Sequence, residues 1–150
     1  MFKQIFLIIS IFLCSVVSFA KPLDKDEQKI ILAEVNAYRF QHSLSALQCD
    51  DFISKVAVSH SLNMAKGLPF GHAGFDQRSA DLFLHFKAAN AIAENVAYAS
   101  SMSAKGVVKL WLESLGHRKN IEGNYNLTGI GIAQSKDGRF FVTQIFLKNK

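Results

Sequence analysis

The C-terminal stretch LTGIGIAQSKDGRFFVTQIFL, residues 127–147, decides the fold, because its pattern is that of two paired strands. Residues 127–133 alternate in side-chain character, and residues 140–147 are rich in aromatic and β-branched side chains. Lys136, Asp137 and Gly138 separate the two runs and are typical of a tight turn. The stretch therefore predicts a β-hairpin near the end of the chain.

Two helices are predicted in the first half of the chain. Residues 24–41 form the first, because apolar side chains recur there at helical spacing, whereas Arg39 falls between them and is expected to face water. The second helix begins at an N-cap supplied by Asp50 or Asp51 and stops at Gly67. Its apolar face is predicted to comprise Ile53, Val56, Ala57, His60 and Met64.

Two further helices and one strand are predicted between these helices and the hairpin. A short helix is expected around residues 81–88 and an extra strand near residues 97–100. A fourth helix carries Trp111 and Leu115 on its apolar face and is expected to end at Gly116. Helices followed by paired strands favour the α+β class, here an α-β-α sandwich with an antiparallel sheet and helices packed on its faces.

The first 20 residues predict a signal peptide. One positive charge precedes an apolar run over residues 5–17, which is shorter than the roughly 20 residues that a spanning helix needs. Ser18 and Ala20 are small residues of the kind that precede a signal-peptidase cleavage site. We therefore expect cleavage after Ala20, export to the periplasm or the cell exterior, and one domain over residues 21–150 without a transmembrane helix.

Charge and cysteine content restrict the function of the exported part. Lys3 is the only charged residue of the signal, so 17 − 1 = 16 basic and 12 acidic residues remain, a balance of +4. Because these charges form no long basic run, nucleic-acid binding is excluded, although a basic exported protein is attracted to anionic surfaces. Cys49 is the only cysteine after residue 20, so the fold is expected to depend on apolar packing rather than on an intrachain disulfide.

Three polar residues are candidates for a functional site. His72, Glu94 and His117 lie in segments that flank predicted helices, so folding could bring two imidazoles and one carboxylate together. Such a set suffices for a zinc ion with one open position, but the chain has no His-Glu-x-x-His helix. The alternative is a buried hydrogen-bond cluster. His60 is expected to be a core histidine, or else a neighbour of His72.

Nucleophilic catalysis has little support in the sequence. Ser114 precedes His117 by three residues but has no nucleophile-elbow motif around it, so a role at a helix end is the better interpretation. Cys49 is followed by Asp50 and Asp51, whereas a catalytic thiolate needs electropositive surroundings.

Several ordered motifs resemble one known family. They are EVNAYR at residues 34–39, FGH at 70–72, ENVA at 94–97, WLESLGHRKNI at 111–121, and TGIG and TQIF in the predicted hairpin. In this order they resemble the bacterial branch of the CAP superfamily, which includes cysteine-rich secretory proteins, antigen 5 and pathogenesis-related class 1 proteins. The chain departs from the pattern at Ala93, where glycine is usual, and at Phe141, which occupies a cavity-histidine position of the animal and plant members.

The resemblance implies a surface cleft formed by the segments that contain His72, Glu94 and His117. Family members are linked to lipid, sterol and protein partners, so the leading hypothesis is a monomeric, secreted and non-catalytic binding module for such a partner or for a cell-wall ligand. The alternative is a peptidase-like hydrolase that depends on a divalent metal, with zinc held by His72 and His117. A purely structural role of the polar residues is the third hypothesis.

Overall fold

The computed structural model describes residues 21–22 and 25–150, so the predicted signal peptide lies outside the described residues. Five helices are present in this part of the chain: α1 (Lys25–Gln41), α2 (Asp51–Ala65), α3 (Phe75–His85), α4 (Ala104–Glu113) and α5 (Leu115–Glu122). The strands are β1 (Lys21–Pro22), β2 (Gln48–Cys49), β3 (Ala89–Ala99), β4 (Leu127–Gln134) and β5 (Phe140–Asn149).

The strands form one sheet in the order β1-β4-β5-β3. The predicted hairpin is confirmed, since β4 and β5 pair antiparallel from Leu127 opposite Leu147 to Gln134 opposite Phe140. Strand β3 continues the antiparallel pairing along β5, whereas the two-residue strand β2 pairs parallel with β4. The fold is therefore α+β, as predicted.

Helices cover both faces of the sheet, which makes the molecule an α-β-α sandwich. On one face, Ile130 and Ile132 of β4 pack in a cluster with Trp111 of α4 and with residues of α1 and α5. On the other face, Ile145 and Leu147 of β5 pack with residues of α2 and α3. The alternation along β4 and β5 thus sends successive side chains to two separate cores.

Two glycines explain how closely α2 lies against the sheet. A Cβ atom added to Gly129 would collide with the backbone between Ile53 and Ser54, and one added to Gly131 would collide with the backbone of Ala57. No side chain fits at either position. The Gly-Ile-Gly-Ile sequence of β4 therefore serves two purposes, because its isoleucines fill one core while its glycines admit a helix on the opposite face.

Three predictions of local structure were wrong in their boundaries. Helix α3 begins six residues earlier than residue 81, and β3 runs from Ala89 instead of residue 97. The chain turns at Ser114, and a separate helix α5 then passes through Gly116, which was predicted to end the preceding helix. Because of this turn Leu115 is 60% exposed rather than packed beside Trp111.

Arg39 was predicted to face water, but it is 2% exposed. Its guanidinium donates hydrogen bonds to the backbone carbonyls of Ser45, Ile121, Gly123 and Tyr125. Burial lowers the pKa of Arg39. The side chain thus ties the loop after α1 to the segment that follows α5, and its buried charge is compensated by carbonyl acceptors.

Residues 21–150 were expected to contain no transmembrane helix and no intrachain disulfide. Within residues 21–22 and 25–150, no helix is long and apolar enough to cross a membrane. Cys49 is a free and exposed thiol.

Candidate functional site

Glu94 is the centre of a polar cluster on the sheet face that carries α2 and α3. Its side chain is 1% exposed, yet both carboxylate oxygens have partners. Arg78 donates from Nε to Oε2 at 2.8 Å and from Nη2 to Oε1 at 2.7 Å, and His72 Nδ1 lies 2.9 Å from Oε1. This two-pronged guanidinium contact is the strongest geometry available to a buried carboxylate. We call His60, His72, Arg78 and Glu94 the Glu94 cluster.

Arg78 belongs to α3 and was missed in the sequence. Besides Glu94, its guanidinium reaches the backbone carbonyl of Ala73 at 2.8 Å. The third helix was predicted near residue 81, which left Arg78 without a defined position. Arg78 could have been identified from the sequence, because a buried carboxylate requires a cation. Arg78 is the arginine nearest to Glu94 in the preceding segment.

The loop before α3 positions His72. Gly71 and Gly74 have φ values of 127° and 75°, in the left-handed region that favours glycine. The Phe75 amide donates to the carbonyl of His72, which closes the loop as α3 begins. The imidazole of His72 therefore reaches Glu94 through Nδ1 while 52% of its side chain stays exposed.

His60 lies beneath this loop and is 4% exposed, in agreement with the prediction of a core histidine beside His72. Its Nε2 donates to the carbonyl of Gly71 at 2.8 Å and lies 3.9 Å from Glu94 Oε1. Burial is the main cause that lowers the pKa of His60, and the charge of Arg78 acts in the same direction. The neutral imidazole thus holds the loop.

His117 approaches from the opposite side of β3, on α5. Its carbonyl accepts a hydrogen bond from Asn95 Nδ2, and the Asn120 side chain donates to the carbonyl of Glu94. The Nδ1 atom of His117 is buried and has no hydrogen-bond partner among the described residues. Burial lowers the pKa of His117, and the charge of His72 lowers it further. The structure therefore joins His72 and Glu94 directly, whereas His117 is near His72 without a hydrogen bond to Glu94.

Two exposed aromatic rings lie on the segments that carry His72 and Glu94. Phe70, two residues before His72, is 49% exposed, and Tyr98, four residues after Glu94, is 55% exposed. The rings contact edge to face, with 5.0 Å between their centroids. We call these two rings the aromatic rim. Large exposed rings beside polar groups are common in binding surfaces.

The donor set of the Glu94 cluster does not fit a metal ion. No group of three or more His, Cys, Asp or Glu side chains within residues 25–150 is arranged to hold one. Both oxygens of Glu94 are bound by the Arg78 guanidinium, whose positive charge would also oppose a cation. The same contacts leave Glu94 poorly placed to accept a proton from a substrate. The exposed groups that can meet a ligand are His72 and the aromatic rim.

Comparison with known sequences identifies a family match. The sequence profile of the cysteine-rich secretory protein family, CAP, matches residues 32–146. An uncharacterized membrane protein of Bacillus subtilis, YlbC, is 30% identical over 134 residues, which cover 85% of this chain. The chain spans only 36% of the length of that relative.

Solved structures agree with the sequence match. An outer surface protein from Borrelia burgdorferi superimposes with a TM-score of 0.75 at 22% identity, and the match covers 88% of this chain and 100% of that protein. An extracellular protein containing a SCP domain from Bacillus anthracis has a TM-score of 0.62 at 28% identity, covering 86% of this chain and 45% of its own. The first supports the fold alone, and the second adds sequence similarity.

Proposed function

The chain belongs to the cysteine-rich secretory protein family, CAP, and from that premise we propose that it is an exported, non-catalytic binding module. Its ligand contacts His72 and the aromatic rim, while Glu94 holds the imidazole of His72 in place from below. The ligand is a lipid, a sterol, a protein or a cell-wall component, the classes that the family resemblance implies.

The observation that carries this proposal is that both carboxylate oxygens of Glu94 are already hydrogen-bonded within the protein. A carboxylate with 1% exposure and three hydrogen bonds is held in place by its neighbours, and both of its oxygens are already engaged. The exposed parts of the site are instead the outer edge of His72 and the two rings. Rigid aromatic groups around a partly exposed imidazole suit binding, because they bury large area at little cost in conformational entropy.

Export is part of the same proposal. It is supported by the signal-like residues 1–20 and by the name of one structural relative, the extracellular protein from Bacillus anthracis. Determining the N-terminus of the protein from culture fractions tests it directly. We expect the mature chain to begin at Lys21, and an intact N-terminus retained in the cytoplasm would contradict export.

The binding proposal is tested with three probes: sterol micelles, vesicles containing phosphatidylglycerol, and purified insoluble cell wall. We expect the protein to bind at least one of them, and the double variant Phe70→Ser, Tyr98→Ser to bind it about tenfold more weakly, because exposed aromatic anchors dominate binding energies. The matched control is Phe40→Ser, which removes a ring that is 83% exposed on α1.

The control variant should bind like the wild type, and all variants should unfold at similar temperatures because the exchanged rings are exposed. Equal losses in the rim variant and the Phe40→Ser control would contradict a specific surface. Failure of the wild-type protein to bind any of the three probes would also count against the proposal.

One observation favours the hydrolase as the second candidate. His117 has a buried nitrogen without a hydrogen-bond partner in the described part of the chain, and it lies close enough to His72 for that residue to lower its pKa. Two imidazoles near one another can supply two of the three protein ligands that a catalytic zinc site uses. A screen of peptide and ester substrates tests this alternative. Turnover that disappears in His72→Ala would establish the hydrolase and overturn the non-catalytic proposal.

A further inference from the structure

A separate pocket lies between the C-terminal end of α2 and the turn that joins β4 to β5. Its volume is about 700 Å³, within the range of small-molecule sites, and no residue of the Glu94 cluster lines it. Met64 and Phe141 form its floor and are 2% and 5% exposed. We call this cavity the hairpin pocket.

The rim of the hairpin pocket carries an excess of positive charge. Lys66, Lys136 and Arg139 contribute three cations, and Asp137 contributes the one carboxylate. Hydrogen bonds from Arg139 and Ser135 lower the pKa of Asp137 to about 2, so this group stays ionised and the formal rim charge is 3 − 1 = +2. Such a rim attracts an anion.

Two of these cations, Lys66 and Arg139, are accessible to a ligand. Arg139 pairs with Asp137 at 2.8 Å, but these side chains are 54% and 57% exposed, and exposed pairs of this kind contribute little energy and can exchange partners. Lys66 has no carboxylate within 4.0 Å among residues 25–150. An incoming carboxylate can therefore bind Lys66 and Arg139 without breaking a buried interaction.

The rest of the lining points to a ligand with hydroxyl groups. The Ser135 hydroxyl and the Asp137 carboxylate add hydrogen-bond acceptors to a rim of cationic donors, a mixture that suits hydroxyls. The Arg139 guanidinium lies over the Phe141 ring at 5.7 Å, which leaves a flat surface for a ring to cover. The pocket is open to solvent and is not an enclosed channel for an alkyl chain.

We propose that the hairpin pocket binds an acidic sugar unit, with its carboxylate between Lys66 and Arg139 and its hydroxyls toward Ser135 and Asp137. This site is additional to the binding surface at His72 and adjoins it, because the ring of Phe141 on the pocket floor lies 6.4 Å from the ring of Tyr98. The ligand class follows from charge complementarity together with the mixed donors and acceptors of the rim.

Titration calorimetry with two matched trisaccharides tests the proposal. Trigalacturonate carries three carboxylates, and galactotriose is its neutral counterpart. We expect trigalacturonate to bind the protein comprising residues 21–150. Galactotriose should bind at least about tenfold more weakly, because it cannot make the charge-assisted contacts. Lys66→Glu should weaken trigalacturonate binding by at least about tenfold.

The control is Lys109→Glu on α4, where the lysine side chain is 76% exposed and lies outside the lining of the pocket. It makes the same charge change and should leave the affinity for trigalacturonate unchanged. Equal binding of the two sugars, equal losses in the two variants, or no binding of trigalacturonate at millimolar concentration would each overturn the proposal. Binding of dodecanoate in place of the sugar, abolished by Lys66→Glu, would overturn it in favour of a fatty acid.

Discussion

The two faces of the sheet are packed in different ways. On the α4 face, large side chains such as Trp111 and Ile132 pack together, and the buried charge of Arg39 on α1 is compensated by backbone carbonyls. On the α2 face, Gly129 and Gly131 bring the helix backbone against β4, and strand β3, on the other side of β5, carries the buried Glu94. Apolar packing thus fills most of one face, whereas the other combines backbone contact with a cluster of charged side chains beneath the surface that we propose binds a ligand.

Strand β3 connects the two faces. Trp111 Nε1 donates to the carbonyl of Val96 and Asn120 Nδ2 to the carbonyl of Glu94, so α4 and α5 are attached to the strand that presents the cluster. Asn95 reaches the carbonyl of His117 from the same strand. These side-chain contacts occupy carbonyls of an edge strand that would otherwise be available for pairing with another chain.

The largest expected effect concerns the α4 face. Trp111→Ala should lower the free energy of unfolding by about 3–5 kcal/mol, because it empties a site with 0% exposure. Urea denaturation measures this loss. Leu110→Ala, at a neighbouring side chain that is 51% exposed, is the control and should change the value by less than about 0.5 kcal/mol. Similar values for both variants would contradict the assigned core.

On the α2 face, Arg78→Met should cost about 3–5 kcal/mol, because it leaves the carboxylate of Glu94 buried without its cation. Adding Glu94→Gln to this variant should restore part of the loss, since the uncompensated charge is then removed. Lys109→Met breaks an exposed pair at 3.8 Å and should cost less than about 1 kcal/mol. If Arg78→Met lowered the free energy of unfolding no more than this control does, the ion pair would not hold the cluster.

Backbone contact on the α2 face is tested by Gly131→Ala, which should cost about 1–3 kcal/mol because the added Cβ pushes α2 away from β4. The control is Gly116→Ala in α5, where an added Cβ meets no atom within 4 Å. This second change should leave the stability of the protein unchanged or slightly higher, since alanine has a higher helix propensity than glycine. Denaturation midpoints of the two variants give the comparison, and equal midpoints would refute the close approach.

A smaller effect is expected from pH. The pKa values of His60 and His117 are lowered, so as pH falls below about 6.5 the unfolded chain takes up protons before the folded one. The free energy of unfolding should therefore fall between about pH 6.5 and the lowered pKa values, by at most about 1.4 kcal/mol per pH unit for each imidazole.

Melting temperatures at pH 7.5, 6.5 and 5.5 measure this dependence, because these pH values span the ordinary histidine pKa of about 6.5. His60→Gln should reduce the slope, whereas His42→Gln, at an exposed residue, should leave it unchanged. A slope that is the same in all three proteins would show that His60 does not contribute.

The hairpin and the core of α2 are predictable from the sequence, because alternation and helical spacing are local signals. At Gly116, by contrast, the local signal gave the wrong helix boundary. Glycine commonly ends helices, but here the turn occurs at Ser114 and the glycine lies inside α5. The contact between His72 and Glu94 was anticipated through the family motifs rather than through spacing, because 22 residues separate the two positions.

Arg39 and Arg78 were beyond the reach of local patterns. Each lies on a helix where an arginine ordinarily faces water, and partners that are distant in sequence bury Arg39 fully and Arg78 in part. Arg39 meets carbonyls more than 80 residues away, and Arg78 meets Glu94 across 16 residues. Such partners can be identified only once tertiary packing is known. Because Arg78 pairs with Glu94, the set of two imidazoles and one carboxylate is in fact part of a cluster whose negative charge is already compensated.

The most direct test of the central claim, that the cluster supports binding and performs no metal chemistry, is the melting temperature measured with and without added zinc chloride. The wild type is compared with the double variant His72→Ala, His117→Ala. Because Arg78 already occupies the oxygens of Glu94, we expect zinc to change the melting temperatures of both proteins equally. A rise in the wild type that is absent from the double variant would contradict the account and establish the metal site.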